Sequence, residues 1–192
     1  LKYLKYPINI KLKKTNKIKN ISIIGKQKLE AINNYRIPSD PSSAAFLIVL
    51  STLSENSNLT IRNVLINKFR IHFIDILLKM GAKIKISKKR NYFGEQIADI
   101  NVKSSKLSGI KISPEIVPSI IDELPILFVA ASFAKGESLF PNLDELKIKE
   151  SDRLKAMYLN LKKCGVDCLI KKNSLIIKGL SERYFSNEIP KI

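Results

Sequence analysis

The chain has 192 residues, 45% hydrophobic and 27% charged, enough apolar side chain to bury a core and too much to stay disordered. No apolar run reaches the roughly 20 residues of a bilayer span and the first residues carry no signal-peptide pattern, so a cytoplasmic protein without a membrane partner is expected. The net charge of +17 is mostly scattered lysine; with no aromatic-interleaved basic motif and no zinc finger, it fits solvated surfaces and small anionic substrates, and no nucleic-acid partner is expected.

In chain order, INIKLKK from Ile8 and KNISIIG from Lys19 read as a lysine-edged β-hairpin. From Ser42 onward, two long segments can be laid over each other at a spacing of roughly eighty residues, the mark of a duplicated unit. The first is SSAAFLIVLSTLSENSNLTIRNV with RIHFIDILLKMGAKIKI; the second is IDELPILFVAASFAKGESLFPNL with RLKAMYLNLKKCGVDCLI. Asn63-Val64 falls on Asn142-Leu143, and Gly81 falls on Gly165.

Each copy reads as strand, helix, strand, helix and two strands. The first helices, AAFLIVL and ILFVAASFA, are apolar nearly all round and should be buried, whereas FIDILLKM and RLKAMYLNL keep a polar face and should lie outside. Gly81 and Gly165 stand where a C′ glycine ends a helix, just after Met80 and Cys164. The closing strands are KIKIS and ADINVKS in one copy, DCLIKK and NSLIIKG in the other, with a hairpin turn at Asn173-Ser174. The expected fold class is therefore α/β (α+β), built from repeated βαβαββ units with buried helices.

Residues 147–153, KIKESDR, precede Leu154, Met157, Tyr158 and Leu161, which have helical spacing, so the string is expected to be that helix's first turn. Glu150, Ser151 and Asp152 suit the positive end of a helix dipole. Lys149 and Arg153 oppose it, and cations added to a helix N-terminus point to an anionic ligand. Asp122 stands where an N-cap would, ahead of Pro125, and Ser42 and Ser43 read as caps of the first buried helix. His72, Cys164 and Cys168 read as packing residues, with no metal site and no disulfide framework.

The combination of SDPSSAAF, IIDELPILFVAASFAKG and ELKIKESDRLKAM closely resembles the 5-enolpyruvylshikimate-3-phosphate synthases, particularly their bacterial second class, over essentially the whole chain. The resemblance implies two similar domains, each of three βαβαββ units, with the site in the cleft between them. Residues 1–34 would end the first domain. Residues 35–192 would belong to the second, with units at 35–105 and 106–180 and the start of a third.

The implied reaction moves the enolpyruvyl group of phosphoenolpyruvate to the 5-hydroxyl of shikimate 3-phosphate and releases phosphate, in an enzyme that is a monomer at full length and uses no cofactor. Carried over by motif, Asp122 would accept the hydroxyl proton and touch substrate, and Glu150 would add and later remove the methylene proton. Lys149 would contact shikimate 3-phosphate and Arg153 phosphoenolpyruvate. Asp122 as a simple cap, and Glu150 with Arg153 as a surface ion pair, are the plainer readings beside these.

Two family strings depart from pattern: PGD reads Pro38-Ser39-Asp40, and NPTR reads Asn67-Lys68-Phe69-Arg70, keeping its ends. The first domain's motifs and the last unit's arginine and lysine have no counterpart here. The chain is therefore expected to be a fragment, inactive alone. The alternatives are UDP-N-acetylglucosamine enolpyruvyl transferase, against which KESDR argues, and a non-catalytic fragment of the same fold.

Overall fold

The computed structural model describes residues 8–12, 19–26, 28, 34–148 and 151–179. They fall into two compact units, one within Leu1–Ile37 and Asn91–Gly94, the other within Pro38–Arg90 and Glu95–Ile192. In the first, β1 (Ile8–Leu12) and β2 (Lys19–Ile23) form the expected antiparallel hairpin, with Ile10 opposite Ile21. Tyr35 also stacks on Tyr92 with ring centroids 5.7 Å apart, and the backbone N–H of Arg36 donates to the Tyr92 hydroxyl at 3.0 Å.

The second unit holds both repeats apart from the hairpin tip Asn91–Gly94, which belongs to the first unit. The first repeat comprises α1 (Pro41–Leu53), β3 (Asn58–Leu65), α2 (His72–Lys79), β4 (Lys83–Tyr92) and β5 (Glu95–Lys103), with sheet order β3-β5-β4. The second begins with a 3₁₀ turn (Pro114–Ile120) and continues through α3 (Leu124–Ser132), β6 (Glu137–Phe140), a short α4 (Asp144–Lys147), α5 (Arg153–Lys163), β7 (Asp167–Lys171) and β8 (Ser174–Lys178). Its sheet order, β6-β8-β7, repeats the first. The opening strand of each copy is reduced to parallel bridges, Ser39 with Val64 in one and Ser108 with Lys135 and Lys111 with Leu139 in the other.

Equivalent positions share backbone geometry. Asn63 and Asn142 both take left-handed φ, at 58° and 54°, a region that Asn tolerates better than most side chains. At Asn63 this shifts the register between β3 and β5, and the Asn63 N–H turns to the buried Asp99 carboxylate at 3.1 Å. Both second helices end in a Schellman motif. Ala82 N–H bonds Leu77 C=O and Gly81 N–H bonds Leu78 C=O; Val166 with Leu161 and Gly165 with Lys162 do the same. The two glycines have φ of 103° and 77°, as that motif requires. The last hairpin turns on Lys172-Asn173, one residue earlier than expected, because Lys171 pairs with Ser174.

The core runs through both repeats. Phe128 of α3 packs edge-on against Phe140 of β6 at 4.8 Å, among Ile48, Leu77, Leu127, Leu154 and Leu175. α2 and α5 lie outside, burying Phe73, Ile74, Ile76 and Leu77 from one and Leu154 and Leu161 from the other. α3 is buried as expected. α1 corrects the expectation: it buries Ala44, Ala45, Ile48 and Val49 but leaves Phe46, Leu47 and Leu50 at 55%, 48% and 62% exposure. Its all-round apolar surface has more to cover than two repeats supply.

The connector between the repeats is bonded to both. Ser105 and Ser108 N–H groups reach Thr52 and Met80 carbonyls in the first, while Lys135 N–H bonds Leu107 C=O and Ile112 N–H bonds Leu139 C=O in the second. At Gly109 the chain passes so close to the Glu137 backbone that no Cβ would fit.

Candidate active site

Of the polar side chains that sequence alone singled out, Ser42, Ser43, Asp122 and Arg153 lie at the starts of α1, α3 and α5. α1 is capped by Asp40, whose extended backbone lets the carboxylate accept from Ser43 N–H at 2.8 Å and Ser43 O–H at 2.9 Å, with Pro41 following. Ser42 and Ser43 are therefore first-turn residues and not caps. Partial burial works against it, but the Ser43 bonds and the nearby Arg70 guanidinium hold the Asp40 carboxyl below its ordinary value.

α5 begins at Arg153, not at residue 147. Asp152 takes the cap position and accepts from Lys155 N–H at 2.9 Å, which fixes the first turn there. Residues 144–147 form α4 instead, and Ile148 beyond it is 82% exposed. KIKESDR thus joins two helices and is not one helix's first turn. Lys149 and Glu150, within that join, lie outside the described residues.

At α3 the cap position falls on Glu123, one residue beyond Asp122. The 3₁₀ turn runs on through Ile121 with helical backbone, Glu123 N–H bonds Ile120 C=O at 3.0 Å, and Glu123 is itself helical, so its side chain makes no cap bond. Asp122 is left outward, its side chain 57% exposed, and its carboxylate lies 3.5 Å from the Arg153 guanidinium. The structure thus brings together two of the four expected site residues, from the starts of two helices.

Glu123 turns inward. It is 4% exposed and accepts a hydrogen bond from the Ser42 hydroxyl at 2.5 Å; that hydroxyl in turn accepts from Arg70 Nη2 at 3.1 Å, and Arg70 lies 3.5 Å from Asp40. Burial raises the Glu123 carboxyl above its ordinary range, and the charge of Asp122 adds to this against the Ser42 bond and Arg70. Sequence reading passed over Glu123 and Arg70. The signal was present in the retained ends of Asn67-Lys68-Phe69-Arg70, where Asn67 C=O accepts Arg70 N–H at 2.8 Å and closes the turn that carries the guanidinium.

Chemically the arrangement offers an exposed carboxylate beside a guanidinium at helix starts: a carboxylate can accept a proton, and a guanidinium at a helix N-terminus can bind an anion. Among the described residues no group of His, Cys, Asp and Glu is placed to hold a metal ion, and Cys164 and Cys168 form no disulfide. No described helix is long and apolar enough to cross a membrane.

Residues 2–187 match the family model described as EPSP synthase (3-phosphoshikimate 1-carboxyvinyltransferase). The 3-phosphoshikimate 1-carboxyvinyltransferase of Brucella melitensis biotype 2 (strain ATCC 23457) is 48% identical over 162 residues, 84% of this chain and 36% of that protein. The enzyme of the same name from Pseudomonas sp. (strain PG2982) is 46% identical over the same share of each. Among solved structures, an EPSP synthase from Acinetobacter baumannii superimposes with a TM-score of 0.82 at 38% identity, covering 95% of this chain and 40% of that one. The enolpyruvyl transferase NikO from Streptomyces tendae shares the fold, with a TM-score of 0.59 at 13% identity over 90% of this chain and 37% of that one. The chain spans little more than a third of the length of the curated relatives it matches.

Proposed function

The chain belongs to the EPSP synthase family, and on that footing we propose that it supplies part of a cytoplasmic 3-phosphoshikimate 1-carboxyvinyltransferase, monomeric at full length and without a nucleic-acid partner. Residues 1–34 end the first domain of that enzyme. Residues 35–105 and 106–180 are two of the three βαβαββ units of the second, and the third covers the apolar face that α1 leaves exposed.

In the reaction, the 5-hydroxyl oxygen of shikimate 3-phosphate bonds to C2 of phosphoenolpyruvate while a proton is added at C3. Loss of that C3 proton and of phosphate then restores the double bond. Asp122 takes the hydroxyl proton. Glu150 gives and recovers the C3 proton, Lys149 holds shikimate 3-phosphate, and Arg153 holds an anionic group of phosphoenolpyruvate with paired hydrogen bonds.

The observation that carries this reading is the 3.5 Å approach of the Asp122 carboxylate to the Arg153 guanidinium; it supports a base for the shikimate 3-phosphate hydroxyl acting next to a group that binds phosphoenolpyruvate. An exposed ion pair of this kind is worth under about 1 kcal/mol, so an anionic substrate can displace it cheaply and leave Asp122 turned to the hydroxyl. The test is Asp122→Asn in a full-length enzyme carrying this chain. Turnover should fall about 100-fold or more, with substrate binding retained. Near-normal turnover of the Asn enzyme would remove the base from Asp122.

A further inference from the structure

Glu123 is buried at a helix start, yet it caps nothing. A carboxyl there carries a desolvation cost that an apolar side chain would not, and what it gains in return is direction, because a hydrogen bond fixes orientation where apolar contact does not. Its partner, the Ser42 hydroxyl, sits on the first turn of α1 in the other repeat. Ser42 is held from its far side by Arg70, and Arg70 by Asp40, the cap of the same helix. This line of side chains ends one residue from Asp122, in the turn that joins the 3₁₀ segment to α3.

We propose that Glu123 is a positioning residue: tied through Ser42 to Arg70, it fixes the turn that carries Asp122, so that the Asp122 carboxylate stays directed at the attacking hydroxyl once substrate takes the Arg153 guanidinium from it. The proposal rests on Asp122 being the base. It assigns Glu123 no contact with substrate.

The experiment measures turnover, both Michaelis constants and melting temperature in a full-length enzyme carrying this chain, for Glu123→Ala, Glu123→Gln, Ser42→Ala, Asp122→Asn and the double variant Asp122→Asn with Glu123→Ala. Assays run well below the melting temperature of every variant. Glu123→Ala should lower kcat about 10-fold to 30-fold with both KM values within about 2-fold, since a small misplacement of a catalytic group costs rate more than binding. Gln keeps an acceptor oxygen for Ser42 and should restore kcat to within about 3-fold of the parent, while Ser42→Ala should lower it in the same sense as Glu123→Ala. In the Asp122→Asn background, Glu123→Ala should change kcat by less than about 2-fold, because the two act as one unit.

A Glu123→Ala enzyme of parental kcat beside an impaired Asp122→Asn enzyme overturns the positioning role and leaves the base standing. An equal loss from Glu123→Ala in both backgrounds overturns it too, by showing an action independent of Asp122. Normal turnover of Asp122→Asn removes the base itself, and with it this proposal. Should Glu123→Ala fail to fold, Ser42→Ala decides: parental kcat there sinks the positioning role.

Discussion

Asp122, in the turn ahead of α3, and Arg153, at the first position of α5, meet at 3.5 Å although each belongs to a separate helix start. The guanidinium side chain is 32% exposed and so within reach of a ligand. Its two parallel donors match a carboxylate or phosphate in a way that one ammonium does not.

Arg153→Lys keeps the charge and loses the fork. In a full-length enzyme the KM for phosphoenolpyruvate should rise about 10-fold or more, while that for shikimate 3-phosphate changes by less than about 3-fold. Steady-state kinetics with each substrate varied in turn gives both values. An equal change in the two constants, or none, would return Arg153 to the role of a surface residue.

Glu123 carries a pH signature. Its folded carboxyl titrates above the ordinary value of 4.5, so the unfolded chain ionises first as pH rises, and stability is lost as pH climbs from there through the raised folded value. Asp40 has the opposite sign, losing its contribution only as pH falls through a folded value below 3.8. Glu123→Gln removes the first effect and leaves the second. The melting temperature of the Gln variant relative to the parent should therefore climb as pH rises from the ordinary carboxyl value of 4.5 through the raised folded value, and then level off. A difference that stays flat or shrinks with pH would contradict the raised carboxyl.

The exposed face of α1 behaves differently in the two settings. In the 192-residue chain, Phe46→Ser and Leu50→Ser should each change stability by less than about 0.5 kcal/mol and reduce self-association in light scattering, because these side chains stand in water. In a full-length enzyme the same changes should each cost about 2 kcal/mol or more, as losses from a packed core do. Equally small effects in both would mean that no third unit covers the helix.

The repeat was legible because duplicated backbone needs duplicated residues: Gly81 and Gly165 had to be glycine for the Schellman motif, and Asn63 and Asn142 suit the same left-handed turn. Helix starts were read less well. A run of seven residues with six charged or polar does not reveal which one takes the cap; Asp152 there, like Asp40 ahead of α1, won by accepting an N–H bond that only three-dimensional geometry displays. Glu123 escaped for a related reason. Acids at helix starts are so common as caps and dipole partners that nothing in IDELP separates the outward Asp122 from the inward Glu123. The partner that turns Glu123 inward is Ser42, in the other repeat.

The connector whose N–H groups bond Thr52 and Met80 on one side, and whose carbonyl at Leu107 serves Lys135 on the other, decides how this protein comes apart. Duplicated units often melt one at a time, each with its own midpoint. Here the seam is shared, with Leu107 and Ile112 buried from it and no space for a Cβ at Gly109, so opening either repeat strips bonds from the other. The ancestral unit is one repeat, but the cooperative unit is the pair, and hydrogen exchange should find the protected amides of both released in a single event.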